Sequence, residues 1–249
     1  MQQMSRRSQH FTDSVIRRMT RVSLSCGAIN LAQGFPDFAP PKAMTDRLAE
    51  LSPIGPHQYP ITMGAPNFRQ ALARKCGRFM GRTLDPETDM VVTIGSTEAM
   101  VDTLFALTNP GDKVVMFSPY FENYRAQTLM VDCEPVFVPL VPPTFQFDPE
   151  RLEDAFRQHP KAILICNPSN PSGKVFTYDE LRLIAELCIR YDVYCIMDEV
   201  YEHIVYEGHT HTYMNSLPGM WERTVSCSSL SKTYSVTGWR LGYAIAPQP

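Results

Sequence analysis

The residues best suited to chemistry in this sequence sit just after apolar runs. Lys232 lies in SLSKTYSVTGWRLGY, residues 229–243, shortly after TVSCS, residues 224–228. A lysine there is costly to bury as a cation. It either snorkels back to solvent or forms something other than an ammonium, such as a Schiff base with an aldehyde. Asp198 follows VYCIM, residues 193–197. A carboxylate at the end of a buried segment needs a cation or a strong donor, and an internal salt bridge or a ring N–H would each serve. AILIC, residues 162–166, runs into NPSNPSG, residues 167–173. Turn formation accounts for the prolines and the glycine of that loop, but less well for Asn167 and Asn170, whose amides a rigid loop holds in fixed directions. MVVTI, residues 90–94, leads into GSTEAM, residues 95–100. A glycine turn entering a helix at Ser96 and Thr97 exposes backbone N–H groups beside hydroxyls, which suits phosphate; a plain N-cap is the alternative. KVVMFS, residues 113–118, leads to Pro119, Tyr120 and Phe121, whose rings would stack on a flat ligand or simply join the core.

The elements that must position these residues alternate along the chain. Short apolar runs at 90–94, 113–118, 135–139, 162–166, 193–197, 224–228 and 242–246 read as strands, the third demoted to an edge by its prolines. Helical patterns cover 42–51, 67–80, 98–107 and 121–131. Asp148-Pro149 opens another helix, with Asp as N-cap and Pro at the first helical position. Thr177-Tyr178-Asp179-Glu180 is a capping box that starts one running to about Tyr191. The alternation predicts an α/β fold with a mostly parallel seven-stranded sheet sandwiched by helices. In such sheets ligands bind outside the carboxyl ends of the strands, which is where Lys232, Asp198, Asn170, Ser96 and Phe121 fall. The first 30 residues are polar and read as an arm, and residues 34–41, GFPDFAPP, as an extended, turn-rich segment.

Taken together, the strand ends describe one ligand. It carries a phosphate, a flat ring, a ring nitrogen that wants an acid, a ring hydroxyl that wants donors and an aldehyde that wants an amine. Pyridoxal 5′-phosphate (PLP) has all five, held by a lysine Schiff base and a pyridinium–carboxylate pair.

The stretches GFPDF, QYP, FRQALA, GSTEAM, SPYFENY, NPSNPSG, DEVYEHIVY and SLSKTYSVTGWRLGY occur in an order, from about Asn30 onwards, that resembles the class I/II aminotransferases of PLP fold type I. GFPDF is most similar to the branch containing kynurenine/glutamine and methionine aminotransferases, some of which also act as cysteine-conjugate β-lyases. The resemblance implies roles. Lys232 is the Schiff-base lysine and Asp198 the partner of the pyridine nitrogen. Tyr201 and Asn170 hydrogen-bond the ring hydroxyl, and Phe121 stacks on the ring, with Tyr120 as the alternative one register away. Ser96, Thr97, Ser229 and Arg240 cradle the phosphate. Tyr59 reaches the phosphate of a neighbouring subunit, which implies a homodimer with shared sites. Gly34, with Asn170, contacts substrate near its carboxylate. The implied activity is transamination between an L-amino acid and a 2-oxo acid. A PLP-dependent C–S β-lyase on the same scaffold, or a catalytically weak PLP-binding remnant, are the alternatives.

The same resemblance implies an organisation. Residues 1–45 would be an N-terminal arm with part of a small domain, and 46–249 the PLP-binding large domain. The C-terminal small domain, with the arginine that clamps the substrate carboxylate in the family, is absent from this sequence. The expectation is therefore a piece of a longer enzyme, with the 249-residue chain alone binding PLP poorly and turning over slowly or not at all.

Composition excludes several classes. With 23 Lys plus Arg against 26 Asp plus Glu, no basic excess supports nucleic-acid or polybasic membrane binding, and no apolar run approaches a bilayer span. The seven cysteines are scattered and odd in number, with no C-x-x-C pair, which fits a reducing compartment. The expected location is cytoplasmic; an Arg- and Ser-rich opening would also suit a mitochondrial transit peptide. His203, His209 and His211 form a loose group with acids nearby, but HTH, residues 209–211, lies in a polar loop without a compelling third ligand for a metal centre. Gly95 and its neighbours form no G-x-G-x-x-G dinucleotide fingerprint.

Overall fold

A computed structural model of the chain describes residues 3–5, 7–8 and 13–248. The expected arm therefore lies partly outside the described residues, as does Pro249 at the end of the expected large domain.

The apolar runs become the middle of one sheet. Its strands are β1 (Met90–Ile94), β2 (Lys113–Ser118), β3 (Glu134–Val141), β4 (Gln146–Phe147), β5 (Ala162–Cys166), β6 (Tyr194–Asp198), β7 (Thr224–Ser229) and β8 (Leu241–Ile245). They lie in the order β1-β8-β7-β6-β5-β2-β3-β4. The helices are α1 (Val15–Ser25), α2 (Lys42–Leu51), α3 (Pro66–Met80), α4 (Ser96–Leu107), α5 (Asn123–Met130), α6 (Pro149–Phe156) and α7 (Tyr178–Tyr191).

β3, β2, β5, β6 and β7 run parallel to one another, whereas β8 is antiparallel to both β7 and β1. The seven expected strands are all present. The eighth is the two-residue β4, antiparallel to β3, too short to leave a pattern in sequence.

Side chains on a strand point alternately to the two faces, and both faces here are covered. Val115 and Phe117 of β2 and Ile163 and Ile165 of β5 pack with Leu152 and Phe156 of α6 and Leu181 and Ile184 of α7. Val114, Met116 and Leu164, the alternate residues, pack with Met100 and Leu104 of α4 and Tyr124 of α5. Burial on both sides explains why these strands read as continuous apolar runs. A third cluster seats α3, through Leu72, Cys76 and Met80, on Met90, Tyr243 and Ile245 at the β1–β8 edge. Fully burying each large aliphatic side chain contributes about 2 kcal/mol.

Local signals fix the helix ends. Thr177 Oγ1 accepts from the Glu180 amide at 3.2 Å while the Glu180 carboxylate accepts from the Thr177 amide at 2.8 Å, a complete capping box. Asp148 caps α6 by accepting from the Glu150 amide at 2.9 Å.

The opening segment departs from the expectation of a featureless arm, because residues 15–25 form α1. Ser14 caps this helix by accepting from the Arg17 amide. None of its residues is buried, so no core-facing stripe announces it. It is tied down laterally instead: the Ser14 hydroxyl donates to Glu122, and Asn30 Nδ2 donates to Thr20 Oγ1 at 3.2 Å.

Candidate functional site

The parallel strands end in register. Cys166 lies opposite Asp198, and Asp198 opposite Cys227. β8 runs the other way, so its beginning reaches the same edge: Leu241 pairs with Ile94 and Gly242 with Ser229. Segments distant in sequence thus converge on one cavity of about 370 Å³.

Lys232 enters it from the turn after β7. Its Nζ donates to the Gly34 carbonyl at 3.3 Å and stands 5.6 Å from the centre of the Tyr201 ring. The ammonium does not snorkel away from the site. Burial lowers its pKa below the ordinary lysine value, and the Asp198 charge opposes that shift.

Asp198 closes β6 and is buried. It shares the α4/α5 face with Ile196, as alternation along the strand requires. Its Oδ2 accepts from the Tyr124 hydroxyl at 2.7 Å, and its Oδ1 from the Val200 amide at 3.3 Å. Burial raises its pKa, while these two donors and Lys232 pull it back. The carboxylate has donors on one side and open cavity on the other, and it forms no salt bridge among the described residues.

Tyr201 and Asn170 line the cavity together. The Tyr201 hydroxyl is pushed up to about 12, first by burial and then by Cys166 and Asp198, with the neighbouring Asn170 amide opposing. Asn170 belongs to the expected rigid loop, in which the Ser169 amide donates to the Lys174 carbonyl and the Gly173 amide to the Ser169 carbonyl, each at 2.8 Å. Phe121 forms part of the wall and meets Tyr124 edge-on, 5.7 Å between centroids. Tyr120 turns away and stacks on Phe137 at 5.0 Å. Of the two aromatics, Phe121 lines this cavity and Tyr120 does not.

Ser96, Thr97, Ser229 and Arg240 meet at the other end. Ser96 and Thr97 open α4, where the first-turn N–H groups have no partner within the helix. Arg240 sits at φ 55° just before β8. Its Nη1 donates to the Thr237 carbonyl at 2.9 Å and its Nη2 points at the Ile94 carbonyl, 3.4 Å away. Two glycines make this approach possible. A Cβ on Gly95 would lie 2.1 Å from Arg240 Nη2, and one on Gly242 only 2.2 Å from the Gly95 carbonyl carbon.

Tyr59 stands apart from the cavity and is 99% exposed. Two features escaped the sequence. Nothing in the sequence marks Tyr124 as the donor to Asp198. Ser14, Arg17 and Gln33, from α1 and the segment after it, close one side of the cavity. Cys166, Cys195 and Cys227, within or at the end of the apolar strands, are buried and free.

These residues fit PLP. The cradle at Gly95 and Gly242 is one that any Cβ would fill, and it presents helix N–H groups, three hydroxyls and a guanidinium to an anion. The open side of the buried Asp198 matches a ring N–H. A half-buried amine of lowered pKa, Lys232, stands between the two ends.

The sequence matches the profile of the family "Aminotransferase class I and II" over residues 27–249. It is 38% identical to mouse kynurenine–oxoglutarate transaminase 3 over 98% of this chain and 56% of that protein. It is 40% identical to human kynurenine–oxoglutarate transaminase 1 over 88% of this chain and 55% of that protein. Among solved structures, N-succinyldiaminopimelate aminotransferase from Mycobacterium tuberculosis superposes with a TM-score of 0.94 at 35% identity, over 98% of this chain and 64% of that one. The chain thus spans little more than half the length of the curated relatives it matches.

Proposed function

Because this chain belongs to the class I and II aminotransferase family, whose members depend on PLP, we propose that it carries the cofactor site of an enzyme that moves the amino group of an L-amino acid to a 2-oxo acid. One observation carries this reading: Lys232, Asp198, Tyr201, Asn170 and the Ser96–Arg240 cradle face a single cavity although they come from five separate segments.

The roles follow from position. Ser96, Thr97, Ser229 and Arg240 would hold the phosphate as the anchor. Phe121 would pack on the ring. Asp198 would accept from the ring N–H and keep that nitrogen protonated, with Tyr124 holding the carboxylate in place. Tyr201 and Asn170 would donate to the ring hydroxyl. When bound, the cofactor supplies an aldehyde for the substrate amine and a ring that accepts the electron pair left at Cα.

Lys232 does the proton work. Its lowered pKa keeps a larger neutral fraction than a free lysine has at the same pH, so its Nζ can take the proton from the substrate Cα as general base and return it as general acid. Gly34, whose carbonyl meets Lys232, and Asn170 border the substrate. The exposed Tyr59 is available to the phosphate of a second copy, which supports a homodimer with shared sites. Residues 46–249 form the large domain in this reading, and residues 1–45 the arm with part of a small domain. Among the described residues no helix is long and apolar enough to cross a membrane; the proposed location is the cytoplasm.

Titrating PLP into the purified chain while recording its visible absorbance tests the site. A saturable band of lysine-bound cofactor, absent in Lys232→Ala with the far-ultraviolet circular dichroism preserved, is the expected result. No band in the unmodified chain would sink the assignment. An amino-donor assay of the whole protein then checks the reaction: a 2-oxo acid with transfer of the amino group supports it, whereas pyruvate with free ammonia assigns a lyase.

A further inference from the structure

Asp198 faces the cavity, and the next residue faces away from it. Glu199 is fully buried on the far side of the strand end, where its carboxylate has no hydrogen-bond partner among the described residues. His211 Nε2 stands 3.4 Å from Glu199 Oε1, near enough for an N–H to face the carboxylate though outside good hydrogen-bond geometry. The other ring nitrogen, Nδ1, lies 3.4 Å from Asn167 Nδ2. Asn167 is fully buried too, and its Oδ1 accepts from the Phe176 amide at 3.1 Å. None of the three lines the cavity.

The orientation of each member follows from the next. The Phe176 N–H claims the carbonyl end of the Asn167 amide, so the NH2 end must point at His211. Nδ1 of His211 must then accept, which leaves the proton on Nε2, facing Glu199. Buried polar groups are paired in stable proteins, and here the pairing runs in one direction from Glu199 to Phe176. Asn167 is also the first residue of the 167–173 loop. Its backbone N–H donates to the Asp198 carbonyl at 3.0 Å, and the loop it opens is cross-braced at Ser169, Gly173 and Lys174. A shift of Asn167 large enough to move its backbone would therefore carry Asn170 with it.

We propose that His211 is a positioning residue: braced by Glu199, it fixes the side chain of Asn167 and thereby the loop that presents Asn170 to the ring hydroxyl. This rests on the assignment of Asn170 to the cofactor. His211 touches no reacting atom. It acts only by holding one amide in one orientation.

The test uses two substitutions that divide the properties of the ring. His211→Phe keeps the flat ring, and with it the edge-on contact to Tyr213 at 4.5 Å, but has no nitrogen. His211→Gln loses the ring and can still accept from Asn167 and donate toward Glu199. In the cofactor-free chain, hydrogen exchange of the Phe176 amide reads the orientation of Asn167 directly. His211→Phe is expected to lower its protection about 10-fold, and His211→Gln to restore most of it. In the PLP titration the same pattern is expected in affinity, with a shifted absorbance band in His211→Phe. The reverse pattern, with Phe tolerated and Gln harmful, would assign His211 to packing and overturn the proposal, as would no effect of either. If His211→Phe does not fold, nitrogen NMR of the unmodified chain decides, because a proton on Nδ1 contradicts the relay. Failure of the unmodified chain to bind PLP would refute the cofactor reading alone, since Phe176 exchange is measured without cofactor.

Discussion

Removing one hydroxyl, in Tyr124→Phe, tests how Asp198 is kept ready for a ring nitrogen. Tyr124 is buried and donates to Asp198 Oδ2 at 2.7 Å. Among the described residues, the other hydrogen bond to that carboxylate is the longer one from the Val200 amide, 3.3 Å. A hydrogen bond to a charged group is worth about 1.5–3 kcal/mol. Its loss would weaken PLP binding by roughly 10- to 150-fold if it falls wholly on the loaded state. The cofactor-free protein can relieve part of the loss by protonating Asp198, whereas the loaded protein needs the anion, so the penalty falls on binding more than on folding. The direction with pH follows. Burial already raises the Asp198 pKa and Tyr124 opposes it; without the hydroxyl the pKa rises further, and protonation competes with cofactor binding at higher pH than before. PLP affinity measured by absorbance across the acid range should therefore fall in Tyr124→Phe, and fall more steeply toward low pH. The aromatic contact with Phe121 is retained in the variant, so packing is not confounded. Affinities and pH profiles that superimpose on those of the unmodified chain would refute the reasoning.

Other expected outcomes follow from the same geometry. In Phe121→Ala, PLP affinity should drop at least 5-fold, since ring contacts are worth about 0.5–1.5 kcal/mol beyond area, while Tyr120→Ala should leave it within about 2-fold; equal effects would mean the wrong ring has been placed on the cavity. Gly242→Ala drives a methyl into the start of α4 and should cost about 1–3 kcal/mol in a urea unfolding curve, together with loss of PLP binding. Behind the site, burial pushes the Glu202 carboxyl up, but Lys75 at 2.5 Å and the Tyr213 hydroxyl at 2.7 Å hold it below the ordinary glutamate value. That stabilisation is present above the ordinary glutamate pKa and is lost as pH falls through the folded one. Lys75→Met should destabilise by about 3 kcal/mol at neutral pH and flatten the acid dependence of the unfolding midpoint; an unchanged midpoint would show the pair to be idle.

Much of the fold was legible because the physics behind it is local. KVVMFS and AILIC became β2 and β5 without a residue's difference, since strands covered on both faces leave unbroken apolar runs between turns. The capping box at Thr177 likewise fixed the start of α7. What escaped reading depends on partners far along the chain. α1 has no buried face, and its anchors are Glu122 and residues of the following segment. The reversal of β8 has no signature in LGYAI itself. The site showed the same division. Lys232, Asp198 and Asn170 were visible as misfit polar residues at strand ends. Tyr124 could not be told from a core tyrosine, because its hydroxyl finds Asp198 across 74 positions. Glu199 and His211 read as part of a motif and a loose histidine group, and only their shared burial reveals them as a pair.

The reversal of β8 bears on the order in which the molecule can be assembled. β1 has β8 as its only neighbour in the sheet, with Met90 opposite Ile245. As the chain leaves the ribosome, β1 must wait for some of the last strand residues before it gains a ladder. The start of α4, which follows β1 directly, waits with it. β2, β5, β6 and β7 can pair earlier, and they bring Asp198 and Asn170 together without help from β8. The ring end of the site is thus available to a growing chain before the phosphate end, and the pairing that completes the cradle is among the most non-local in the fold, the kind that slows folding. A nascent chain halted before residue 241 would already carry Ser96, Thr97, Ser229 and Arg240, but without the β8 ladder that sets the start of α4 against the Ser229 end of β7.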